Sequence, residues 1–404
     1  MGGISKTAFA NRMHNACCKL VEEGFDALVV YARGSTAAFG SKSHGYMRYL
    51  VDWDTYYSPG VLVLAPGRAP VCITSDVFLQ KLSQDSAHPC EDVRFAPLAD
   101  LAQAVSAVLR EQAAAMGRAV QNIAFIGKTE TPVPFWELFA GSLEAGSTIT
   151  DFERAFDLEL AVKDAEQYAL HKQAAAVCDA MYAELDRSMY SGKSIWHLRA
   201  VMEKTARDAG AEHVLIWLTV APVAASCFFY REDSTYVPQI GDQVLCGIYV
   251  LLYGHWGHGI RMGSCGQPTK AMLQGYDIVR EMQDEAVKNL RPGADLQRVN
   301  AAMEDVFARH FPEETGIFRF RAAHGLGHFS EDPLTTDPFR HSYAPGVVTE
   351  TPFIEIRKGM LFEVHPNYFQ AGVTGAALGD MVYLSDTGPT FTLQFPREFR
   401  QWGS

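Results

Sequence analysis

No CxxC pair and no regular cysteine spacing occur in this 404-residue chain, whose cysteines stand at positions 17, 18, 72, 90, 178, 227, 246 and 265. That excludes a disulfide-stapled secreted scaffold and a zinc knuckle, and it predicts a reducing, cytoplasmic setting. No apolar stretch runs uninterrupted for the roughly 18 residues that mark a membrane span. The opening segment MGGISKTAFANRMHNACCKL lacks the apolar core of a signal peptide and has Lys6 where a myristoylation signal takes Ser or Thr. Positive charge is also short, with 35 Lys and Arg against 47 Asp and Glu and a net charge of −12. Such a balance disfavours binding to nucleic acid or acidic lipid and points to a small-molecule substrate as partner. Low-complexity tracts are missing too. What is present, 48% apolar and 20% charged residues with 33 glycines and 19 prolines, is the composition of a globular protein. At about 150 residues per domain, the length suits two domains or one large one.

Short apolar runs at 27–32, 61–64, 71–74 and 123–126, with an Ala- and Leu-rich helix over 99–116, predict a sheet covered by helices. The chain changes character over 151–163, so the boundary is placed near residue 155, giving domains 1–155 and 156–404. The second domain reads as helices at 165–189, 194–209, 269–290 and 296–310, with strands at 213–222, 243–252, 360–369 and 377–385. The fold class is therefore α/β, of α+β character in the second half. A helical hairpin paired with a β-hairpin occurs twice, which suggests a divergent internal repeat.

Most of the thirteen histidines read as surface or satisfied core residues, among them His14, His44, His88, His171, His197 and His310. Three glycine-punctuated segments stand apart: GHWGHG at 254–259, HGLGH at 324–328 and FEVHP at 362–366. On a strand, residues two apart share a face and residues three apart do not, so only one of His255 and His258 can point into a site. Glu363 and His365 are two apart and can line one cavity. Gly325 and Gly327 permit close backbone approach beside His324.

In this order the segments resemble the catalytic domain of the pita-bread family, which includes methionine aminopeptidase, Xaa-Pro aminopeptidase, prolidase and creatinase. The resemblance covers about 160–390, and 49–64 resembles the N-terminal domain of the creatinase and prolidase branch. It implies an N-terminal creatinase-like α/β domain, a pita-bread domain and a homodimer. Family members carry a metal-binding Asp on the strand after a Gly-Asp turn and a second Asp eleven residues on; here Gly241-Asp242 is the turn, and those positions hold Gly247 and His258. The family's ligand histidine corresponds to His324. Its ligand Glu in the Gly-Met…Glu-Pro segment corresponds to His365, and its final ligand Glu, before an Asp, to Gly379 ahead of Asp380.

With Gly379 and His258 at the bridging positions, nothing there holds two cations together, so a two-metal peptidase site is not expected. His258, His324 and His365 are instead expected to bind one divalent transition metal, Fe(II) or Zn(II), through imidazoles at about 2.1 Å. Three neutral ligands leave the ion its full charge, able to bring bound water to a pKa of about 7. The expected function is a non-peptidase hydrolase or lyase cleaving a C–N or C–heteroatom bond of a small, polar, amino-acid-like substrate. Alternatives are an O2-dependent non-haem Fe(II) oxygenase on the same ligands, a metal-free creatinase-like hydrolase, and a catalytically silent binding protein. Tyr230, Glu331, Glu363 and Asp380 are the candidates for proton transfer or for hydrogen bonds to the histidines. Gly247 and Gly379 would leave room for substrate where the second metal sits in relatives. Arg261 could orient a carboxylate or simply brace the hairpin, and Trp256, with the run 228–230, could wall the pocket or pack in the core. Arg319, Arg321 and Arg340 flank HGLGH and could bind an anionic substrate, but charged loop residues are more often simply solvated.

Overall fold

In a computed structural model of the chain, residues 3–36, 41–85, 89–189, 192–222, 235–313, 317–319, 322–328, 332–335, 353–370 and 373–402 are described. The chain divides into two compact units, Met1–Leu160 and Ala161–Ser404.

In the first unit the apolar runs become β1 (Ala27–Ala32), β2 (Gly60–Leu64), β3 (Val71–Thr74) and β5 (Asn122–Ile126), while β4 (Asp92–Phe95) and β6 (Thr148–Asp151) complete a six-stranded sheet in the order β4-β3-β2-β1-β5-β6. The two extra strands are the sheet's edges and are largely polar and partly exposed, so they carry no apolar run to announce them. Helices α1 (Lys6–Glu22) to α6 (Glu153–Leu160) intervene; α4 (Leu101–Met116) lays Val105, Val108 and Leu109 against Val29, Val63, Ile73 and Phe125. Gly117, at φ 67°, ends α4 in the left-handed conformation that glycine adopts without strain.

The second unit opens with α7 (Ala165–Ser188), started by a capping box: the Asp164 side chain accepts from the Gln167 N–H at 2.8 Å, and the Asp164 N–H donates to Gln167 Oε1 at 3.2 Å. After α8 (Ile195–Asp208), strands β7 (His213–Pro222), β8 (Asp242–Leu252) and β9 (His255–Cys265) form an antiparallel meander, joined at its edge by β18 (Arg400–Trp402). The sequence reading placed no strand over 255–265, because its three glycines interrupt the apolar pattern. Tyr253 and Gly254, at φ 48° and 71°, make the two-residue turn of the β8–β9 hairpin. Helices α9 (Lys270–Asn289) and α10 (Gln297–His310) follow as expected. A five-stranded sheet then runs in the order β12-β11-β13-β16-β17, with β11 Ala323–Gly325, β12 Asp332–Thr335, β13 Leu361–Val364, β16 Asp380–Ser385 and β17 Gly388–Phe391. A smaller sheet holds β10 (Ile317–Phe318), β14 (Asn367–Gln370) and β15 (Thr374–Ala377).

The single strand expected over 360–369 is two strands in two sheets. Pro366 has no N–H to give a ladder, and the chain changes sheets there. His365 sits at this break, its backbone pinned by its own N–H to the Ala322 carbonyl at 2.6 Å and by Asn367 Nδ2 donating to its carbonyl at 3.0 Å. An antiparallel bridge between Ile260 and Gly379 ties the meander to the five-stranded sheet.

Candidate metal centre

The β8–β9 register decides which way each histidine of GHWGHG points. A Cβ at Gly257 would lie 2.7–3.0 Å from Ala174 of α7, so 255, 257 and 259 turn toward that helix. His258 therefore faces the other side, as Ile260 does, where it meets Gly379. Tyr249 is the cross-strand partner of His258, and the two rings stack with centroids 3.5 Å apart at 17°. In the five-stranded sheet His324 is directly opposite Glu363, which puts both side chains on one face, and His365 follows two residues later.

These registers bring His258, His324 and His365 together. All three are buried, and one ring nitrogen from each lies within 4.8 Å of the others. Ring centroids are 5.7 Å apart for 258 and 324, 5.8 Å for 258 and 365, and 4.9 Å for 324 and 365. Among the described residues this is the one group of three or more His, Cys, Asp or Glu donors so arranged.

Backbone carbonyls set the tautomers. The His258 Nδ1–H donates to the Ile248 carbonyl at 2.8 Å, and the His324 Nδ1–H to the Gly325 carbonyl at 2.7 Å. Each bond leaves Nε2 as the nitrogen with a lone pair, the state a metal ligand needs. Burial, and then the His324 ring, hold the His258 pKa well below the ordinary histidine value despite the bond to Ile248. A divalent transition metal fits this donor set: neutral imidazoles, oriented by carbonyls, in a dry setting.

Glu363 lies beside the trio, fully buried, with Oε1 3.8 Å from His258 Nε2 and no hydrogen-bond partner for either carboxylate oxygen. Burial, then repulsion from Asp380, raises its pKa well above the carboxylate range, with Arg261 pulling the other way. The space beside Gly379 is not the open volume expected from sequence: a Cβ there would be 2.3 Å from Glu363 Oε1 and 2.9–3.0 Å from Ile260. Gly247 pairs with Ile260 and Trp217 in mid-sheet.

Arg261 and Asp380 are joined in a buried pair, Nη2 to Oδ1 at 2.7 Å, both fully buried. Arg261 also donates to the carbonyls of Gly379 at 2.6 Å, Phe395 at 2.8 Å and Ile260 at 2.9 Å, and Gln283 Nε2 donates to Asp380 Oδ2 at 3.1 Å. The guanidinium and the carboxylate are spent on each other and on the backbone, so they brace the bridge carrying Gly379. Trp256 is buried, with Tyr249 edge-on at 6.1 Å. Arg319 pairs with Glu304 rather than lying free in a loop. Tyr230 with the run 228–230, Glu331, Arg321 and Arg340 lie outside the described residues.

Sequence reasoning missed Tyr249, although locating the 253–254 turn puts it opposite His258 by counting. It also missed a second row of buried rings, in which His255 lies 5.0 Å from His171 of α7 and 4.4 Å from His328, with Gln167 Nε2 at 3.3 Å from His328 Nε2. His171, read as an unremarkable histidine, donates its Nδ1–H to the Trp256 carbonyl at 2.8 Å.

The description "metallopeptidase family M24" belongs to the family model that matches residues 169–386. A probable dipeptidase PepE of Mycobacterium bovis is 24% identical over 251 residues, 60% of this chain and 60% of that protein's length. An Xaa-Pro dipeptidase of Pyrococcus horikoshii is 21% identical over 294 residues, covering 70% of this chain and 76% of that one. The chain thus spans about three fifths of the length of the first of these relatives. In structure it is similar to the dipeptidase PepE of Mycobacterium ulcerans, with a TM-score of 0.77 and 20% identity over 99% of this chain and 100% of that one. The Xaa-Pro dipeptidase of Bacillus anthracis superposes with a TM-score of 0.76 at 19% identity, covering 98% of this chain and 99% of that one. These likenesses establish the pita-bread fold.

They also correct the functional expectation. Relatives named as dipeptidases overturn the reading of a non-peptidase enzyme cutting some other C–N or C–heteroatom bond, together with its oxygenase, metal-free and silent-binder alternatives. The physical error was to equate loss of bridging carboxylates with loss of amide hydrolysis. Losing them removes a means of holding two ions, but hydrolysis on one ion with three protein ligands needs no bridge.

Proposed function

The chain belongs to metallopeptidase family M24, and from that premise we propose that it hydrolyses the peptide bond of a dipeptide-sized substrate with a single divalent ion held by His258, His324 and His365. The observation that carries this reading is the convergence of three buried ring nitrogens within 4.8 Å, two of the rings held by backbone carbonyls in the ligating tautomer. The names of the relatives support the substrate class. A divalent ion in such a site polarises a carbonyl and makes water nucleophilic near neutral pH. Zn(II) and Fe(II) both suit imidazole donors.

The chain's own residues have three tasks in this reading. Ile248 and Gly325 carbonyls hold the rings of His258 and His324 in register, and Tyr249 stacks on His258 to keep its orientation and exclude water. The Arg261–Asp380 pair fixes the bridge through Gly379, which sets the distance between the sheet carrying His258 and the sheet carrying His324. Small polar substrates match a chain whose net charge of −12 disfavours polyanions. A homodimer is carried into the proposal from the family resemblance, and light scattering giving the mass of one chain would remove it.

The test is hydrolysis of a dipeptide panel, Xaa-Pro dipeptides included, by protein loaded with Zn(II) or Fe(II). Turnover that a chelator abolishes and metal restores, and that His324→Ala lacks, is the outcome expected. Intact dipeptides across the panel with metal-loaded protein would overturn the proposal.

A further inference from the structure

A buried carboxylate needs either hydrogen bonds or a counter-charge. Glu363 is fully buried and has neither oxygen hydrogen-bonded. The nearest basic atom paired with it, His258 Nε2, is 3.8 Å away, too far for a hydrogen bond. Arg261, a fully buried guanidinium, gives its terminal nitrogens to Asp380 and to three carbonyls. The Glu363 side chain therefore lies beside the histidine cluster with both carboxyl oxygens unpaired.

Gly379 explains how the carboxylate fits. A side chain of any kind at 379 would start 2.3 Å from Glu363 Oε1, closer than nonbonded atoms approach. Glycine at 379 and glutamate at 363 are thus complementary in shape: the carboxylate enters from β13 into volume that a side chain at 379, just before β16, would otherwise claim. His324 is the direct cross-strand neighbour of Glu363, and His365 lies two residues on along the same face.

We propose that Glu363 is the anionic ligand of this centre, so that the ion is held by three imidazoles and one carboxylate, with Gly379 kept free of a side chain to admit it. This rests on the reading of His258, His324 and His365 as ligands. It lowers the net charge of the loaded site from +2 to +1, and it assigns a role to a carboxylate that has no hydrogen-bond partner among the described residues.

The test is titration of metal-free protein with Co(II), read by the visible absorption bands of the bound ion and by its dissociation constant. Glu363→Gln keeps the shape and removes the charge; it should weaken Co(II) binding by more than about tenfold and shift the bands. Glu363→Asp, which restores the charge on a shorter stem, should recover part of the affinity. Gly379→Ala, which displaces the carboxylate while leaving Glu363 and the three histidines in the sequence, should show the same loss as Glu363→Gln. Circular dichroism identifies any variant that does not fold, and the other two then carry the comparison. Wild-type affinity and spectrum in folded Glu363→Gln, with binding still lost in His324→Ala, would overturn this inference while leaving the three-histidine centre standing. Absence of Co(II) binding by the wild-type protein would overturn both.

Discussion

Replacing Arg261 by methionine removes one half of a fully buried ion pair while keeping most of the side-chain volume. In the native fold its two terminal nitrogens reach Asp380 Oδ1 at 2.7 Å and the carbonyls of Gly379, Phe395 and Ile260 at 2.6, 2.8 and 2.9 Å. Without it, Asp380 keeps only Gln283 Nε2 at 3.1 Å and the Nε of Arg397 at 3.5 Å as compensation for a charge with no access to water. Breaking a buried pair from one side costs about 3–5 kcal/mol, because the remaining charge is stranded. For a unit of this size each kcal/mol is worth about 2–4 °C, so the melting temperature of the second unit should fall by about 6–20 °C. Arg261→Lys should recover only part of that, since an ammonium cannot reach the carboxylate and the Gly379 carbonyl together. Urea unfolding of wild type, Arg261→Met and Arg261→Lys gives the numbers directly. A loss below about 1 kcal/mol in Arg261→Met, the size of an exposed pair, would refute the bracing role and return Arg261 to the candidates for binding substrate.

Three further outcomes follow from other parts of the fold. Burial, then the nearby Lys163 charge, lowers the His171 pKa from 6.5 to about 3, so the folded state refuses a proton that the unfolded chain accepts. Its contribution to stability is complete above about pH 6.5 and is lost as pH falls toward 3; His171→Phe should flatten the pH dependence of the urea midpoint in that window by about one proton, and an unchanged slope would contradict this. Gly257→Ala drives a Cβ to 2.7 Å from the Ala174 backbone, which cannot step aside cheaply, and should cost about 1–3 kcal/mol in thermal unfolding. Tyr249→Leu removes the ring stacked on His258 and should weaken metal retention by about tenfold, whereas Tyr249→Phe should retain it; equal affinities in a competition titration would exclude an orienting role for the stack.

Local pattern made part of this molecule readable in advance. Helical spacing located α7, α9 and α10, and strand parity alone required His255 and His258 to point opposite ways, as they do toward α7 and toward Gly379. The hairpin turn at Tyr253 and Gly254 contained the Tyr249–His258 pair, since counting back from a two-residue turn fixes the register. The interlock of Glu363 with Gly379 was illegible because β13 and β16 pair through a register set elsewhere in the fold, and two glycines read in sequence look like vacated space whether or not a neighbour fills it. Arg261 and Asp380 looked like site residues because charge inside a motif suggests chemistry, and only three-dimensional packing reveals that each neutralises the other. The polar edge strands β4 and β6 were missed because edges carry few of the apolar residues by which strands are recognised.

Elemental analysis of protein purified without added metal, run beside His258→Ala, His324→Ala and His365→Ala, bears most directly on the three-imidazole centre. Close to one transition-metal ion per wild-type chain, lost in each of the three folded variants, is the result predicted. A wild-type chain with only trace metal that also fails to take up added Zn(II) or Fe(II), or full metal content in any one of the variants, would contradict it.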